Sequence, residues 1–327
     1  METRRLEAFI KMVEAGSLTR AASQLGIAQP SLSQQVLDLE AHFRTKLLVR
    51  TKRGVTPTEA GRLLYRHSQN ILRQLKQAKT DISHASDEFA GTVAIGMPGS
   101  ISAALSLPLL KAVRAQFPGI FLRISEGSHV LMHELAVNGR LDFVIGGGAR
   151  PKGLRWEPLL QHELVLVTSA TNPPGSLPKS RVSVAQLEGH PLILPTHLGH
   201  LGGSRSGVDL AFARVGLEPN IIAEIDSPLE LARAVDEGIA STIVPWVAAD
   251  KLPFDLEVRG IVDPTIVRTI SIGESEEMPL SAPAMAVRTL AVGIVAELVA
   301  ADQWPSASPV KDGPLDVETR APGAAGS

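Results

Sequence analysis

The sequence predicts an α/β protein with a small all-α module at its N-terminus, and three observations predict it. Through the first 58 residues the apolar positions recur mainly at helical spacing. From Gly91 onward, short β-branched runs alternate with helical stretches, as they do in α/β folds. Charge divides at nearly the same place: residues 1–90 hold 14 Lys/Arg against 9 Asp/Glu, and the rest holds 18 against 25. A basic head on an acidic body means that only the head suits a polyanion. With 327 residues and 44% hydrophobic content, the chain can build two or three domains with real cores.

Leu6, Phe9, Ile10 and Val13 form the stripe of a first helix, and Leu18, Ala21, Ala22 and Leu25 form that of a second. Gly26 ends the second helix, and Pro30 is tolerated in the first turn of a third. Leu32, Val36 and Leu39 bury one side of this third helix, while Gln29, Ser31, Ser33, Gln34 and Asp38 fall on the other. A packed helix followed by one with a short polar outer face is what a helix–turn–helix needs to reach base edges. Gln29, Pro30, Ser33 and Gln34 are the base-reading candidates, since a Gln amide pairs bidentately with adenine N6/N7. Leu47–Thr51 and Gly54–Thr56 read as two short strands around a basic turn, making a wing. Arg50, Lys52 and Arg53 there are placed to grip phosphate.

Thr56-Pro57-Thr58-Glu59 reads as a helix start, with Thr56 capping, Pro57 at the first helical position and Glu59 completing a capping box. Helical pattern continues to Phe89, and Gly61, Leu64, Ser68, Ile71, Leu75, Ala78, Ile82, Ala85 and Phe89 alternate steps of three and four. That is the spacing of a coiled-coil seam between two copies of the chain, weaker in its first half, with packing against its own domain as the alternative. The expected domains are residues 1–58 for the winged module, 59–90 for the linker helix, 91–302 for the α/β body, and 303–327 for a disordered tail rich in Pro, Ser, Gly and Ala.

In the body, strands are expected at Thr92–Gly96, Phe121–Ile124, Leu141–Ile145, Pro191–Leu194, Ile221–Ile225, Ser241–Val244 and Arg268–Gly273. Helices are expected at Ala103–Phe117, His129–Asn138, 205–214, 228–237 and Ala282–Ala301. Strands separated by helices of this length imply parallel βαβ units. The recurrence of the pattern implies two halves, with a cleft where the chain crosses between them.

The segments SLTRAASQLGIAQPSLSQQVLDLE (Ser17–Glu40) and LLVRTKRGVTPTEAG (Leu47–Gly61) resemble the DNA-binding domain of LysR-type transcriptional regulators, with IAQPSLSQQV and RTKRGVTPTEAG closest to the nitrogen assimilation control branch. The resemblance implies a body like a periplasmic solute-binding protein, double-stranded DNA as partner, a homo-oligomer (dimer or tetramer), and contact with RNA polymerase. The family often has Arg at the position of Gln34, so Gln here moves the expected partner from guanine to adenine. Position in the family pattern implies effector-binding roles for Ser100, Ser102, Ser128, Gly202, Ser204 and Asp226. The branch also implies nitrogen-assimilation promoters and a body that serves only oligomeric assembly. Sensor and assembly module are both open on the residues alone.

Other chemistries find little support. Cysteine is absent, which removes disulfides and thiolate metal sites and fits a reducing cytoplasm. No apolar run reaches the ~18 residues a membrane span needs, and METRRLEAF is too charged for a secretory signal. His129/His133 and His197/His200 have metal-ligand spacing but no third ligand, so no metal or other cofactor is expected. The Gly-rich loop Leu198–Arg205 lacks the Gly-Lys-Ser/Thr of a P-loop, and Gly203-Ser204-Arg205-Ser206-Gly207 puts Arg where a nucleophile would stand. No enzyme is expected.

Overall fold

The computed structural model describes residues 3–51, 54–83, 89–148, 150–195, 204–248, 252–310 and 318–320. The chain divides into two compact units, residues 1–91 with 137–140, and residues 92–136 with 141–327.

The first unit contains helices α1 (Thr3–Ala15), α2 (Leu18–Leu25) and α3 (Gln29–Phe43), strands β1 (Leu48–Thr51) and β2 (Gly54–Pro57), and helix α4 (Glu59–Ser83). Ser17 starts α2 by accepting from the Arg20 amide, and Gly26 ends it in the left-handed region at φ 67°. There the Gly26 and Ile27 amides close the last turn on the carbonyls of Ser23 and Ala22. Leu6, Phe9, Met12, Leu32, Val36 and Leu39 fill the core between the three helices. The wing is antiparallel, with Val49 opposite Thr56 and Arg50 opposite Val55. It abuts the α1–α2 turn: the Val55 amide donates to the Gly16 carbonyl at 2.9 Å. A Cβ on Gly54 (φ 130°) would lie 2.3 Å from that carbonyl oxygen, so only glycine fits.

Two expectations about α4 are corrected. Pro57 belongs to β2, paired with Leu48, and the helix begins two residues later. Thr58, not Thr56, is its cap, with Oγ1 accepting from the Gly61 amide at 3.0 Å. The seam also divides. Gly61 packs on Leu47, Leu64 joins the domain core and Ser68 is buried, whereas Ile71, Leu75 and Ala78 are exposed. The first half of the stripe therefore serves its own domain, and the second half is uncovered. The Ile82 and Ala85 side chains lie outside the described ones.

The second unit is built on a ten-stranded mixed sheet and a separate two-stranded sheet of Leu192–Leu194 and Ile221–Glu224. Its elements are β3 (Gly91–Met97), α5 (Gly99–Gln116), β4 (Ile120–Glu126), α6 (His129–Val137), β5 (Phe143–Gly147), β6 (Leu154–Ser169), β7 (Arg181–Ser183), β8 (Leu192–Leu194), α7 (Ser204–Arg214), β9 (Ile221–Glu224), α8 (Pro228–Asp236), β10 (Thr242–Pro245), β11 (Leu256–Val262), β12 (Thr265–Ser275), α9 (Ala282–Ala300), β13 (Ala307–Pro309) and β14 (Glu318–Arg320). The main strand order is β4-β3-β5-β12-β6-β11-β7. β3 and β5 are parallel, as are β8 and β9, which confirms the two βαβ halves. The long strands β6 and β12 are antiparallel to each other and run through both lobes, so they are the two crossings. Strands β6, β7 and β11 are not among those expected from the sequence.

The second half of β6 is buried on both faces. Leu164 and Leu166 enter one core with Phe212 and Ile243, while Val165 and Val167 enter another with Leu231 and Val235. Among the described residues, α9 alone is long and apolar enough to cross a membrane, with mean hydropathy 1.6. Ala284, Val287, Ala291 and Val295 on it are nevertheless buried, and Arg288 ion-pairs with Glu157 and Glu274 of the two crossing strands.

Residues 303–310, expected in the tail, are packed. Trp304 is wholly buried, and β13 pairs with Leu160–His162 of β6. Residues 318–320 pair with Thr265–Val267 of β12. The rest of the expected tail lies outside the described residues.

Candidate nucleic-acid interface and effector cleft

Gln29 and Pro30 open α3 and are exposed, as is Gln34 one turn on, while Leu32 and Val36 hold the inner face. Ala28 precedes the helix in extended conformation and gives no side-chain cap. The first-turn amides are thus left for water or a phosphate. Two of the candidates are already held in place. Gln34 Nε2 donates to Asp38 Oδ1 at 2.9 Å, and Arg5 pairs with the other Asp38 oxygen at 3.4 Å. Arg50 Nη2 donates to Ser33 Oγ at 3.0 Å, which ties the wing to the polar face of α3. Lys52 and Arg53 lie outside the described residues.

Glu40 escaped the sequence reading. It is buried on the inner side of α3, where its carboxylate accepts from the Leu47 amide at 2.9 Å, the Leu48 amide at 3.3 Å and Lys46 Nζ at 2.7 Å. Burial pushes its pKa up, but Lys46 and the two amides outweigh that and hold it below the ordinary value. One carboxylate therefore fixes the wing to the helix that carries the base-reading candidates. A Glu three residues before an apolar-basic run gives no signal of this in sequence.

In the second unit a cavity of about 410 Å³ opens between the lobes. The starts of four helices line it: Gly99 and Ser100 of α5, His129 and Val130 of α6, Ser204 and Arg205 of α7, and Pro228 of α8. Glu126, Ser128 and Asp226 face it from the preceding loops and strand end, and Arg268 faces it from β12. This is the carboxyl-end placement expected of ligand sites in α/β sheets. Helix α5 starts four residues earlier than expected, at Gly99, so Ser100 and Ser102 stand in its first turn. Ser100 borders the cavity. Ser102 is buried behind it, bonded to Glu126 and, at 2.7 Å, to Ser106. Ser128 accepts from the Leu131 amide at 3.3 Å and so starts α6. Gly202 and the loop 196–203 lie outside the described residues.

The two arginines of the cavity differ. Arg205 is matched by Asp209 at 2.9 Å and Glu224 at 2.6 Å, and although burial lowers its pKa these carboxylates leave it raised. Among the described residues Arg268 has no carboxylate partner. It is buried, with Nη1 on Ser204 Oγ at 3.3 Å and Nη2 on Ser100 Oγ at 3.4 Å, and burial alone pushes it down to about 10. Opposite it on β6 stands His162, also buried, with neither ring nitrogen hydrogen-bonded among the described residues. Burial first, and Arg268 second, hold His162 well below its ordinary pKa. A charged residue in the apolar run Ile266-Val267-Arg268-Thr269-Ile270 was the available signal for Arg268.

Of the four histidines with metal-ligand spacing, His133 bonds the Lys152 carbonyl at 3.2 Å and His129 packs on Trp156. His197 and His200 lie outside the described residues. No group of three or more His, Cys, Asp or Glu fit to hold a metal occurs among the described residues.

A winged helix–turn–helix joined to a two-lobed α/β body with a cleft defines a bacterial one-chain regulator architecture. Residues 3–62 match the bacterial regulatory helix–turn–helix proteins of the lysR family, and residues 86–295 match the LysR substrate binding domain. The chain belongs to the LysR family of transcriptional regulators. It is 36% identical over 303 residues to the nitrogen assimilation regulatory protein nac of Escherichia coli (strain K12), covering 91% of this chain and 97% of that protein. The protein of the same name from Klebsiella aerogenes is also 36% identical, over 90% of this chain and 95% of its own length. Among solved structures, CbnR, a LysR family transcriptional regulator, superposes with a TM-score of 0.53 at 26% identity, covering 89% of this chain and all of that one.

Proposed function

We propose that this regulator controls nitrogen-assimilation promoters, acting in the cytoplasm as a homo-oligomer on double-stranded DNA. The observation that carries this is 36% identity, spread over nine-tenths of the chain, to two proteins named for nitrogen assimilation control. In this reading Gln29, Pro30, Ser33 and Gln34 read the major groove, and Arg50 with its neighbours Lys52 and Arg53 grips the backbone. The exposed half of α4, at Ile71, Leu75 and Ala78, pairs protomers. The cavity bordered by Ser100, Ser128, Ser204 and Asp226 senses a small molecule and passes its state to the assembly.

The test is a genome-wide footprint of the protein under nitrogen limitation. Sites at ammonium- and amino-acid-assimilation promoters are expected, each with dyad half-sites. Occupancy confined to unrelated promoters would overturn the nitrogen assignment and leave the family standing.

A further inference from the structure

The two crossing strands hold a buried weak point where the chain end is seated on them. His162 lies within β6 and is wholly buried. In the sheet it is flanked by Arg268 of β12 on one side and Ala307 of β13 on the other. Trp304 meets its ring edge-on, with centroids 6.2 Å apart and the planes at 85°. Neither imidazole nitrogen has a partner among the described residues, and neither has the indole Nε1 or Arg268 Nε. Buried polar groups are normally paired, so this seat holds its indole by shape rather than by hydrogen bonds.

A neutral imidazole tolerates the seat, and a charged one does not. Imidazolium would hold two N–H donors without an acceptor, beside a buried guanidinium. The charged side chains of β12 are Arg268 and Glu274, and those of α9 are Arg288 and Glu297. Glu274 and Arg288 are tied to each other and to Arg155 and Glu157, at the far end of the crossing. Glu297 is exposed, as is Asp302 where the chain leaves α9. Glu163, next on β6, is exposed and alternates to the other face. β13 carries no charge, and β10 and β11 pair with β6 only from Leu164 onward. Burial first, and Arg268 second, hold His162 well below its ordinary pKa.

The part able to yield to a charged ring is the chain end, not the crossing. β6 and β12 stay paired from Leu154 to Glu163. β13 pairs only over Ala307–Pro309, and Pro309 has no N–H to donate. The Glu163 amide also donates to the Ser306 carbonyl at 2.9 Å. Asp302 and Ser306, on either side of Trp304, have φ of 52° and 62°, in the left-handed region that side chains disfavour. A short ladder between two strained bends belongs to a segment that opens locally while its surroundings hold.

We propose that residues 303–310 form a detachable strap, plugged into the crossing strands by Trp304 and released by a proton on His162. Opening brings water to the ring nitrogens, bares the β6 edge at Leu160–His162 and takes the clasp off the crossing. The strap works independently of what the cavity binds. Its release has a defined pH dependence. With the strap open His162 titrates near its ordinary 6.5, and with the strap closed well below it. Between those two values the open population gains about tenfold for each unit of falling pH.

Hydrogen exchange of the full-length protein, read by mass spectrometry from about pH 7.5 down to about pH 5 and corrected for the intrinsic exchange rate, tests this. Protection of residues 303–310 should fall about tenfold per unit below about pH 6.5, while Ile270 and Ile272 of β12 keep theirs. His162→Phe should leave the strap seated and remove the pH dependence, and His162→Gln is a second neutral variant should the first not fold. Trp304→Ala should leave the strap exchanging freely at both ends of the range. Asp302→Asn should leave the acid release unchanged. Strap protection that does not respond to pH, that falls only together with the β6–β12 ladder, or that still falls in the His162 variants would overturn the proposal. So would a release abolished by Asp302→Asn, which would assign it to a carboxylate.

Discussion

At the scale of single residues, the side chains of α3 proposed to read bases are held before any DNA arrives. Gln34 is fixed by Asp38, and Ser33 by Arg50. Pre-ordering lowers the entropy lost on binding. Replacing Gln34 with Ala should therefore weaken specific binding by about 1–3 kcal/mol and relax preference at one base pair. Gel-shift titrations on a cognate site and on random DNA check this; equal losses on both would remove Gln34 from base reading. Arg50→Ala should instead weaken both DNAs alike and reduce the salt slope. Glu40 supports the same head from below. Glu40→Ala strands the Leu47 and Leu48 amides and should cost on the order of 2–3 kcal/mol. Because the folded pKa of Glu40 lies below its ordinary 4.5, its contribution is present above that value and fades as pH falls through the folded one. Acid titration of the parent and of Glu40→Gln, followed by near-UV circular dichroism, would show the difference. His162 adds a second acid-sensitive point of opposite chemistry. It is neutral when folded, and its ordinary pKa is 6.5, so the unfolded chain takes up the proton first. Stability should thus fall as pH drops below about 6.5, and His162→Phe should remove that part of the loss in denaturant titrations at pH 5 and 7.

At the scale of elements, α4 carries one apolar stripe in two environments. Its first half is spent on the winged module, through Gly61 and Leu64, and its second half stays exposed. Ile71 is 38% and Leu75 43% exposed, so an aspartate at either is harmless to the isolated fold. In a paired linker each would face its symmetry mate across an apolar seam. Leu75→Asp should lower the sedimentation coefficient and make half-site occupancy independent, with the Tm of the winged module unchanged. An unaltered oligomer would transfer the protomer contact to another surface. The elements also divide by how they are buried. The helices α1 to α3 each have one wet face, so periodicity reveals them. The second half of β6, Leu164 to Thr168, is buried on both sides and has no alternation to read. Pro158 and a run of charged residues disguise its first half.

At the scale of the molecule, the body is held by the two strands that both lobes share, and residues 304–309 are fastened to them. Trp304 is wholly buried beside His162, and β13 pairs with β6. Trp304→Ala should cost about 3–5 kcal/mol. Trp304→Phe should cost far less, since Nε1 has no hydrogen-bond partner among the described residues. Chemical denaturation of the two variants checks this, and equal losses would mean that the indole N–H matters more than its volume. The composition of the last 25 residues, rich in small and polar types, gave no hint that one of them plugs a core. What the sequence by itself determined was everything that repeats locally. The three-helix head, the turn at Gly26, the wing, the two βαβ halves and the family all follow from patterns within about twenty residues, because helix and strand periodicity are short-range properties. What only the tertiary structure decided was where distant residues meet. Ser100 and Arg268 are 168 positions apart, and Ser204 and Arg268 are 64 apart. Their meeting is set by the register of two long antiparallel strands, which pairing fixes and no local pattern records. The same holds for Glu40 with its amides and for Trp304. Burial gives a charge or a ring its consequence, and burial is a property of the assembled chain.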